Sequence, residues 1–568
     1  MSLSEWSGDL FTKRLRPLTM KYPSGKILTG IYGTSGSNDD LFNRVSAIKD
    51  GSADAVQYAY NGLATPVKTT CPQPGLALDY TASTALDRFG RIIDHAWKSG
   101  ATDVVRIQHG YDRMGNRNYR KDMVSTTNSE LYTYDGVNQV KSLNRGTLNS
   151  TNNGITGSNF TETWNFDGTG NWLQYNCAGT VENRTHNKAN EIQTTCTHDQ
   201  NGNMTVMPGL NGKYDAWNRL VEVRNASDAL LAIYAYNGLN QRVRKTVGST
   251  VTTSFFNGWW QELEAKTGNE TTTFVWGIRY VDDLLYRDKG EERLYSLADP
   301  NWNVVAITDT SGTVQERMRY DAFGKVTWLD AAFTAKASSG FVWNRTFTGQ
   351  VLDSETGLML YRMRYYNTGL GRFIHRDPIE YLACDVNLMR YVFNMSVDFV
   401  DSWGLQFFDP PRQVSEPKPT SDSTVPIFNP PTLSAPSRKP IFGLNAPRIN
   451  LPEPGNLLFP IPAYQPPPWL QYPLQNDRAG DIFNEWNARN NRSTGNSDLD
   501  ALIQEIESLK RGLPPEVQRF GEKYGGGWYK NPVKKGLDQL WNQGKPPTYE
   551  NPPGGKKYYT IPLPKCEF

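Results

Sequence analysis

Histidine and cysteine are scarce in this chain. Five of each stand among 568 residues. The cysteines, Cys71, Cys177, Cys196, Cys384 and Cys566, are odd in number and widely spaced, with no CxxC pair, which argues against a disulfide framework or a zinc site. The histidines, His95, His109, His186, His198 and His375, share neither a helix face nor a short spacing, so no metal and no cofactor is expected. Charge of one sign is lacking too. Sixty Lys and Arg balance 58 Asp and Glu, which removes any whole-chain pull toward nucleic acid or an anionic membrane. No apolar run is long enough to span a bilayer, and the start, Met1-Ser-Leu-Ser-Glu-Trp-Ser, lacks the apolar centre of a signal peptide.

What is plentiful is aromatic and turn chemistry. Phe, Trp and Tyr make up 12% of the chain and Gly numbers 49, a mixture that favours strands joined by tight turns. A degenerate pattern, aromatic–Asp–x–x–Gly/Asn, recurs. It reads Leu86-Asp87-Arg-Phe-Gly90, Tyr111-Asp112-Arg-Met-Gly115, Tyr134-Asp135-Gly-Val-Asn138 and Phe166-Asp167-Gly-Thr-Gly170. Further copies start at His198-Asp199, Tyr214-Asp215, Tyr236-Asn237 and Tyr320-Asp321. Neighbouring copies are commonly about 16 to 25 residues apart, a repeat-architecture spacing. Each copy predicts a β-hairpin. The Tyr ends a strand and buries its ring, the Asp accepts from backbone N–H groups two residues on, and Gly or Asn supplies the positive φ of the turn. One such hairpin cannot bury its own apolar face, so neighbours must join into a long sheet. On this reading the aspartates are turn residues, not catalysts.

The array ends at a distinctive block: Phe347-Thr-Gly-Gln350, Asp353-Ser-Glu-Thr-Gly-Leu358, Tyr361-Arg-Met-Arg-Tyr-Tyr-Asn367, Leu370-Gly-Arg-Phe-Ile-His-Arg-Asp-Pro378, Asn387-Leu-Met-Arg-Tyr-Val392 and Asp401-Ser-Trp-Gly-Leu405. The array and this block together resemble the RHS/YD-repeat proteins, which include bacterial rearrangement-hotspot proteins, Tc-toxin C components and the shell of animal teneurins. The resemblance covers roughly residues 20 to 405. It implies a mainly β fold, a spiralling antiparallel hairpin shell that in toxin members encloses the C-terminal polypeptide. The organisation expected is an N-terminal tail (1–20), the repeat shell (21–330), a closing plug or RHS repeat-associated core (331–405), a Pro-rich linker (406–475) and a variable, small α+β C-terminal segment (476–568).

In that family the plug is held to cut its own chain after the Leu of an Asp-Pro-x-Gly-Leu sequence with an aspartic-protease-like pair of carboxylates. Carried over by motif, the candidates here are Asp377 and Asp401, with Arg376 keeping one carboxylate ionised and the cut falling after Leu405. Two carboxylates held close share one proton, which suits one as acid and the other as base. The sequence departs from the motif at Ser402, which stands where the family has Pro. The plainer alternative is that Asp377 and Asp401 simply close turns. Arg362, Arg364 and Arg372 are read as outward positions on strands.

Beyond Leu405 the chain changes character. Eighteen of its 35 prolines fall between Pro410 and Pro473. Such a segment is a spacer with polyproline tendency. Ser497 to Asp500 reads as a capping box before a helix whose apolar face is Leu499, Leu502, Ile503, Ile506 and Leu509. From Gly521 onward eight Lys face four acids among interleaved Trp and Tyr, a composition open to nucleic acid but equally to an ordinary solvated face. Glu505, Glu507 and Lys530 are the residues to test there.

Two functions remain open. One is a polymorphic-toxin-like shell that carries a C-terminal effector, releases it by autoproteolysis, is matched by an immunity protein and is secreted or displayed through a dedicated export system. The other is a structural or cell-surface interaction protein with no enzymatic activity. Without export the chain is expected in the cytoplasm.

Overall fold

The computed structural model describes residues 6–8 and 16–405, Ser83 apart; the expectations for the linker, the 499–509 helix and the Lys-rich tail fall outside the described residues. Nearly every element is a strand. Fifteen form one sheet from Trp6–Gly8 to Thr180–Asn183, and fifteen more form a second from Thr197–His198 to Ala335–Lys336. Each strand pairs antiparallel with its neighbour in sequence, as chained hairpins require. Strand Pro17–Lys21 already belongs to the first sheet, so the wall begins inside the expected N-terminal tail. A four-stranded sheet follows within the closing block: Val351–Asp353, Leu358–Tyr361, Arg364–Asn367 and Arg372–Phe373.

The turns are built as their chemistry predicts. Asp112 Oδ1 accepts from the N–H of Met114 and of Asn116, both at 2.8 Å. Asp167, Asp199 and Asp215 each do the same with the residues two and four positions on. The residue three past each acid has positive φ, as in Gly115 (97°), Asn138 (66°) and Asn218 (60°). Trp260, Trp302 and Phe333 also occupy this position with φ of 63–68°, where bulky residues are disfavoured by roughly 1–2 kcal/mol. Packing holds two of them. Trp260 meets Trp403 edge-on at 5.8 Å, and Trp302 stacks on Tyr280 at 4.8 Å.

The tyrosines do more than fill space. Tyr134 Oη donates to the carbonyl of Arg117, Tyr214 to Met204, Tyr236 to Leu220 and Tyr320 to Val304, at 2.6–2.9 Å. The acceptors are the fifth residues after the turn aspartates Asp112, Asp199, Asp215 and Asp299, in that order. The phenol therefore ties each hairpin to the one before it.

The two sheets share one apolar core. Residues of the first, among them Leu28, Val56 and Trp97, pack with Phe274, Tyr286, Leu297 and Ile307 of the second and with Phe347, Tyr361 and Tyr391 of the closing block. Polar contacts cross as well. Tyr22 Oη donates to the Phe274 carbonyl at 2.8 Å, and Trp97 Nε1 to that of Ala298 at 3.1 Å. The third residue of each turn depends on where the closing block reaches. Phe89, Met114, Val137, Trp217 and Leu239 are exposed at turn tips, whereas Phe323 is buried against Trp164 and Trp172. Gly324 beside it is required both by its φ of 94° and because a Cβ there would collide with the Phe347 ring.

Candidate self-cleavage site and family assignment

The two candidate carboxylates come together on one guanidinium. Arg364 Nη2 lies 2.9 Å from Asp377 Oδ2 and 3.4 Å from Asp401 Oδ2. All three side chains are buried. Arg364 sits at the start of strand Arg364–Asn367, and its ring-side face packs on Phe373, 3.5 Å from the centroid. Its Nη1 donates to the Leu388 carbonyl at 3.1 Å and its Nε to the Gly404 carbonyl at 2.5 Å. Asp377 is held in place by its own backbone, whose N–H also reaches the Leu388 carbonyl at 2.9 Å.

Arg376 lies elsewhere. It donates to Glu191 Oε1 at 2.8 Å and is the more exposed member of that pair. The structure thus places the cation of the acid pair at the start of the third strand of the closing sheet, not beside Asp377 in sequence. The outward reading of Arg362, Arg364 and Arg372 is overturned. All three guanidiniums point into the protein, Arg362 to Asp282 at 2.6 Å and Arg372 to Asn171 Oδ1 at 2.8 Å. The strands of this block are covered on both faces, so alternation does not sort its charges to the surface.

The last described turn is fixed at almost every backbone atom. Asp401 Oδ1 accepts from the N–H groups of Trp403 (3.2 Å), Gly404 (2.7 Å) and Leu405 (3.2 Å). Arg362 Nη1 donates to the Ser402 carbonyl, the Met363 N–H to that of Trp403 at 3.2 Å, and Arg364 to that of Gly404. Gly404 has φ of 67°, and a Cβ there would strike the Tyr361 carbonyl. The backbone that a proline would stiffen at position 402 is held by hydrogen bonds.

Burial sets the electrostatics. It pushes Asp377 up to about 6, against the pull of Arg364 and with added push from Asp401 and Asp385. Burial also raises Asp401, despite Arg364 and the three N–H donors, and it lowers Arg364 despite both acids. One cation between two acids leaves an excess negative charge that a single shared proton cancels. Beside the pair is a cleft of about 20 Å³ lined by Arg364, Asp377, Asn387, Asp401 and Leu405, room for one water.

Other buried charges of this block were not found from the sequence. Asp353, fully buried, accepts from Arg242 and from Lys245 (3.0 Å), and the two cations hold its carboxyl down at about 2 against burial. Their partners lie more than 100 residues apart in sequence, so no local pattern could show them.

Known proteins share this architecture. The family profile for the Teneurin YD-shell matches residues 53–394. The tRNA3(Ser)-specific nuclease WapA of Bacillus spizizenii is 28% identical over 229 residues, 38% of this chain and 9% of that protein. The double-stranded DNA deaminase toxin A of Burkholderia cenocepacia is 28% identical over 247 residues, 36% of this chain and 16% of that protein. The chain therefore spans a small part of the length of these curated relatives. Among solved structures, the Photorhabdus luminescens Tc holotoxin pore superposes with a TM-score of 0.54 at 16% identity, over 70% of this chain and 21% of that one. TcdB2-TccC3 without its hypervariable C-terminal region gives 0.55 at 18% identity, over 68% and 21%. Chained antiparallel hairpins, aspartate turns with a left-handed third follower, a closing block and a profile match over more than half the chain lead to one assignment: this protein belongs to the Teneurin YD-shell family of RHS/YD-repeat shell proteins.

Proposed function

We propose that this chain is the carrier part of a polymorphic toxin whose closing block cuts its own backbone after Leu405 and frees residues 406–568 as the effector. The observation that carries the reading is Arg364 holding two buried carboxylates beside a turn whose N–H and carbonyl groups are pinned up to Leu405. Asp401, with three N–H donors and Arg364 on it, keeps the charge; Asp377 carries the shared proton. In the cut, a water in the cleft attacks the Leu405 carbonyl carbon and gives a proton to the ionised carboxylate. Asp377 gives its proton to the carbonyl oxygen. Collapse of the tetrahedral intermediate breaks the C–N bond: the departing Gln406 nitrogen takes the proton that Asp401 had from the water, a hydroxyl of the intermediate returns a proton to Asp377, and the new Leu405 carboxyl group ionises in water.

Relatives named as a tRNA nuclease and a DNA deaminase toxin support nucleic acid as the effector's target, in line with the Lys and aromatic content of 521–568. A toxin of this kind needs export through a dedicated system and a cognate immunity protein in the producing cell, and we infer both for this chain. No helix among the described residues is long and apolar enough to cross a membrane.

The test is a denaturing gel with intact-mass analysis of the full chain beside Asp377→Asn and Asp401→Asn. Fragments 1–405 and 406–568 from the parent alone are expected; intact chain throughout at pH 5–7 sinks the cutting. Growth of several host species on expression of 406–568 separates a toxin from the second reading, an uncut structural shell. That reading draws on Ser402 and on how completely Asp401 is committed to its turn.

A further inference from the structure

A second set of buried charges lies away from the acid pair, where the first sheet, the second sheet and the closing block meet. A cavity of about 70 Å³ is lined there by Arg117 and Arg120 of strand Arg117–Asp122, by Arg317 and Arg319 of strand Val314–Tyr320, and by Ser396 and Val397 of the closing block. At roughly 10–15 Å³ per water position it has room for about five waters, or one oxyanion of four or five heavy atoms.

None of the four guanidiniums makes a close ion pair with a described residue. Among the described residues, Arg117, Arg317 and Arg319 have no carboxylate within 4.0 Å, and Arg120 has Asp122 at 3.9 Å, too far for a hydrogen bond. Their partners are neutral. Arg117 donates to Asn301 Oδ1 at 2.8 Å, Arg319 to Asn128 Oδ1 at 2.7 Å, and Arg317 to the carbonyls of Val104 and Ala331 at 3.0 and 3.1 Å. Nε of Arg117 and Nε of Arg319 are buried with no acceptor, and Arg117 is more than nine-tenths buried.

Carboxylates line the same space, and acids act on two of the arginines through space, Asp398 and Asp299 on Arg117 and Glu130, Asp122 and Asp299 on Arg120, while their own hydrogen bonds go to other groups. Glu130 takes Arg145 at 2.6 Å and the Tyr132 hydroxyl. Asp122 accepts from the N–H groups of Val124 and Ser125. Asp299 and Asp321 each close their own turn, and burial raises both toward the neutral form. Elsewhere in the molecule Arg279, Arg345 and Arg362 each reach a carboxylate within 2.5–2.6 Å. Burying cations without such a partner is costly, and a bound anion removes the cost.

We propose that this cavity is a binding site for a small oxyanion of the phosphate or sulfate class, which joins the two sheets beneath residues 396–398 of the closing block. The closing block is already anchored here: the Arg117 N–H donates to Asp398 Oδ1 at 2.9 Å and Asn301 Nδ2 to the Val397 carbonyl at 2.7 Å. An anion on the four arginines therefore stabilises the join between wall and block. The site is independent of the cutting reaction and stands whether or not cleavage occurs.

The experiment uses the full purified chain, with inorganic phosphate and sulfate titrated against chloride at constant ionic strength, read by calorimetry and thermal unfolding. Saturable binding of one anion per chain and a saturating rise in Tm are expected. Arg120→Gln and Arg319→Gln each weaken phosphate binding at least about ten-fold, as loss of a charged hydrogen bond does. Arg113→Gln, on an exposed turn tip, leaves it unchanged. In chloride Arg120→Gln melts no lower than the parent, and in phosphate it melts lower. A Tm order unmoved by phosphate, or equal binding by the parent and by whichever of the two variants folds, overturns the site.

Discussion

The wall and the closing block use the same residues in opposite ways. In the wall each repeat-turn aspartate bonds the N–H groups two and four residues on, so Asp215 meets only Trp217 and Arg219. In the closing block the charges find partners across the whole chain, as Asp353 does with Arg242 and Arg362 with Asp282. A repeat turn is thus a local device that can be lost singly. The block is a junction in which one side chain holds several segments.

The largest effect that would sharpen this contrast is at Arg364. Arg364→Met leaves two buried carboxylates without their cation and should cost about 3–5 kcal/mol in denaturant unfolding, with loss of any cutting. If it unfolds no more easily than a turn variant, the block is not organised around that guanidinium. Next is Phe323→Ala, which empties the pocket between Trp164 and Trp172 and should cost about 3 kcal/mol, whereas Met114→Ala at an uncovered tip stays within about 0.5 kcal/mol.

The block's two kinds of acid should also separate by pH. The Asp353 carboxyl is lowered to about 2, so its contribution is full above the unfolded value near 4 and is lost as pH falls toward 2. Asp377 is raised to about 6, so the folded state binds the extra proton and stability falls as pH rises from about 4 through 6. Each limb is on the order of 2–3 kcal/mol. Urea midpoints from pH 2 to 7 should show the acid limb flattened in Asp353→Asn and the upper one in Asp377→Asn. Any cutting should slow above about pH 6. Smallest is the wall: Asp215→Ala or Tyr236→Phe should cost about 1 kcal/mol in the same assay, each removing bonds within one hairpin step.

The wall was legible in the sequence because its rule is local. Aspartate, two free positions and a Gly or Asn fit in one window, and the structure repeats that rule from Asp87 onward. Its exceptions were not, since Trp260 and Trp302 hold left-handed φ only through rings that arrive from far along the chain or around it. At the candidate site Arg376 and the two acids are carried over together by motif, with Arg376 given the role of the cation. Adjacent residues diverge, and Arg376 turns to Glu191 while Arg364 enters between the acids. Arg364 was hidden because its strand is covered on both sides, which erases the polar–apolar alternation a reader relies on.

The phenol that reaches back one hairpin has an evolutionary consequence. Because these four tyrosines find their acceptors five residues after a turn aspartate one strand back, a duplicated or deleted hairpin pair brings its own tether and leaves the others in register. Such a chain can be lengthened or shortened by unequal recombination at almost any turn, while the hairpin that carries Phe323 must stay where Trp164 and Trp172 of the first sheet can receive it.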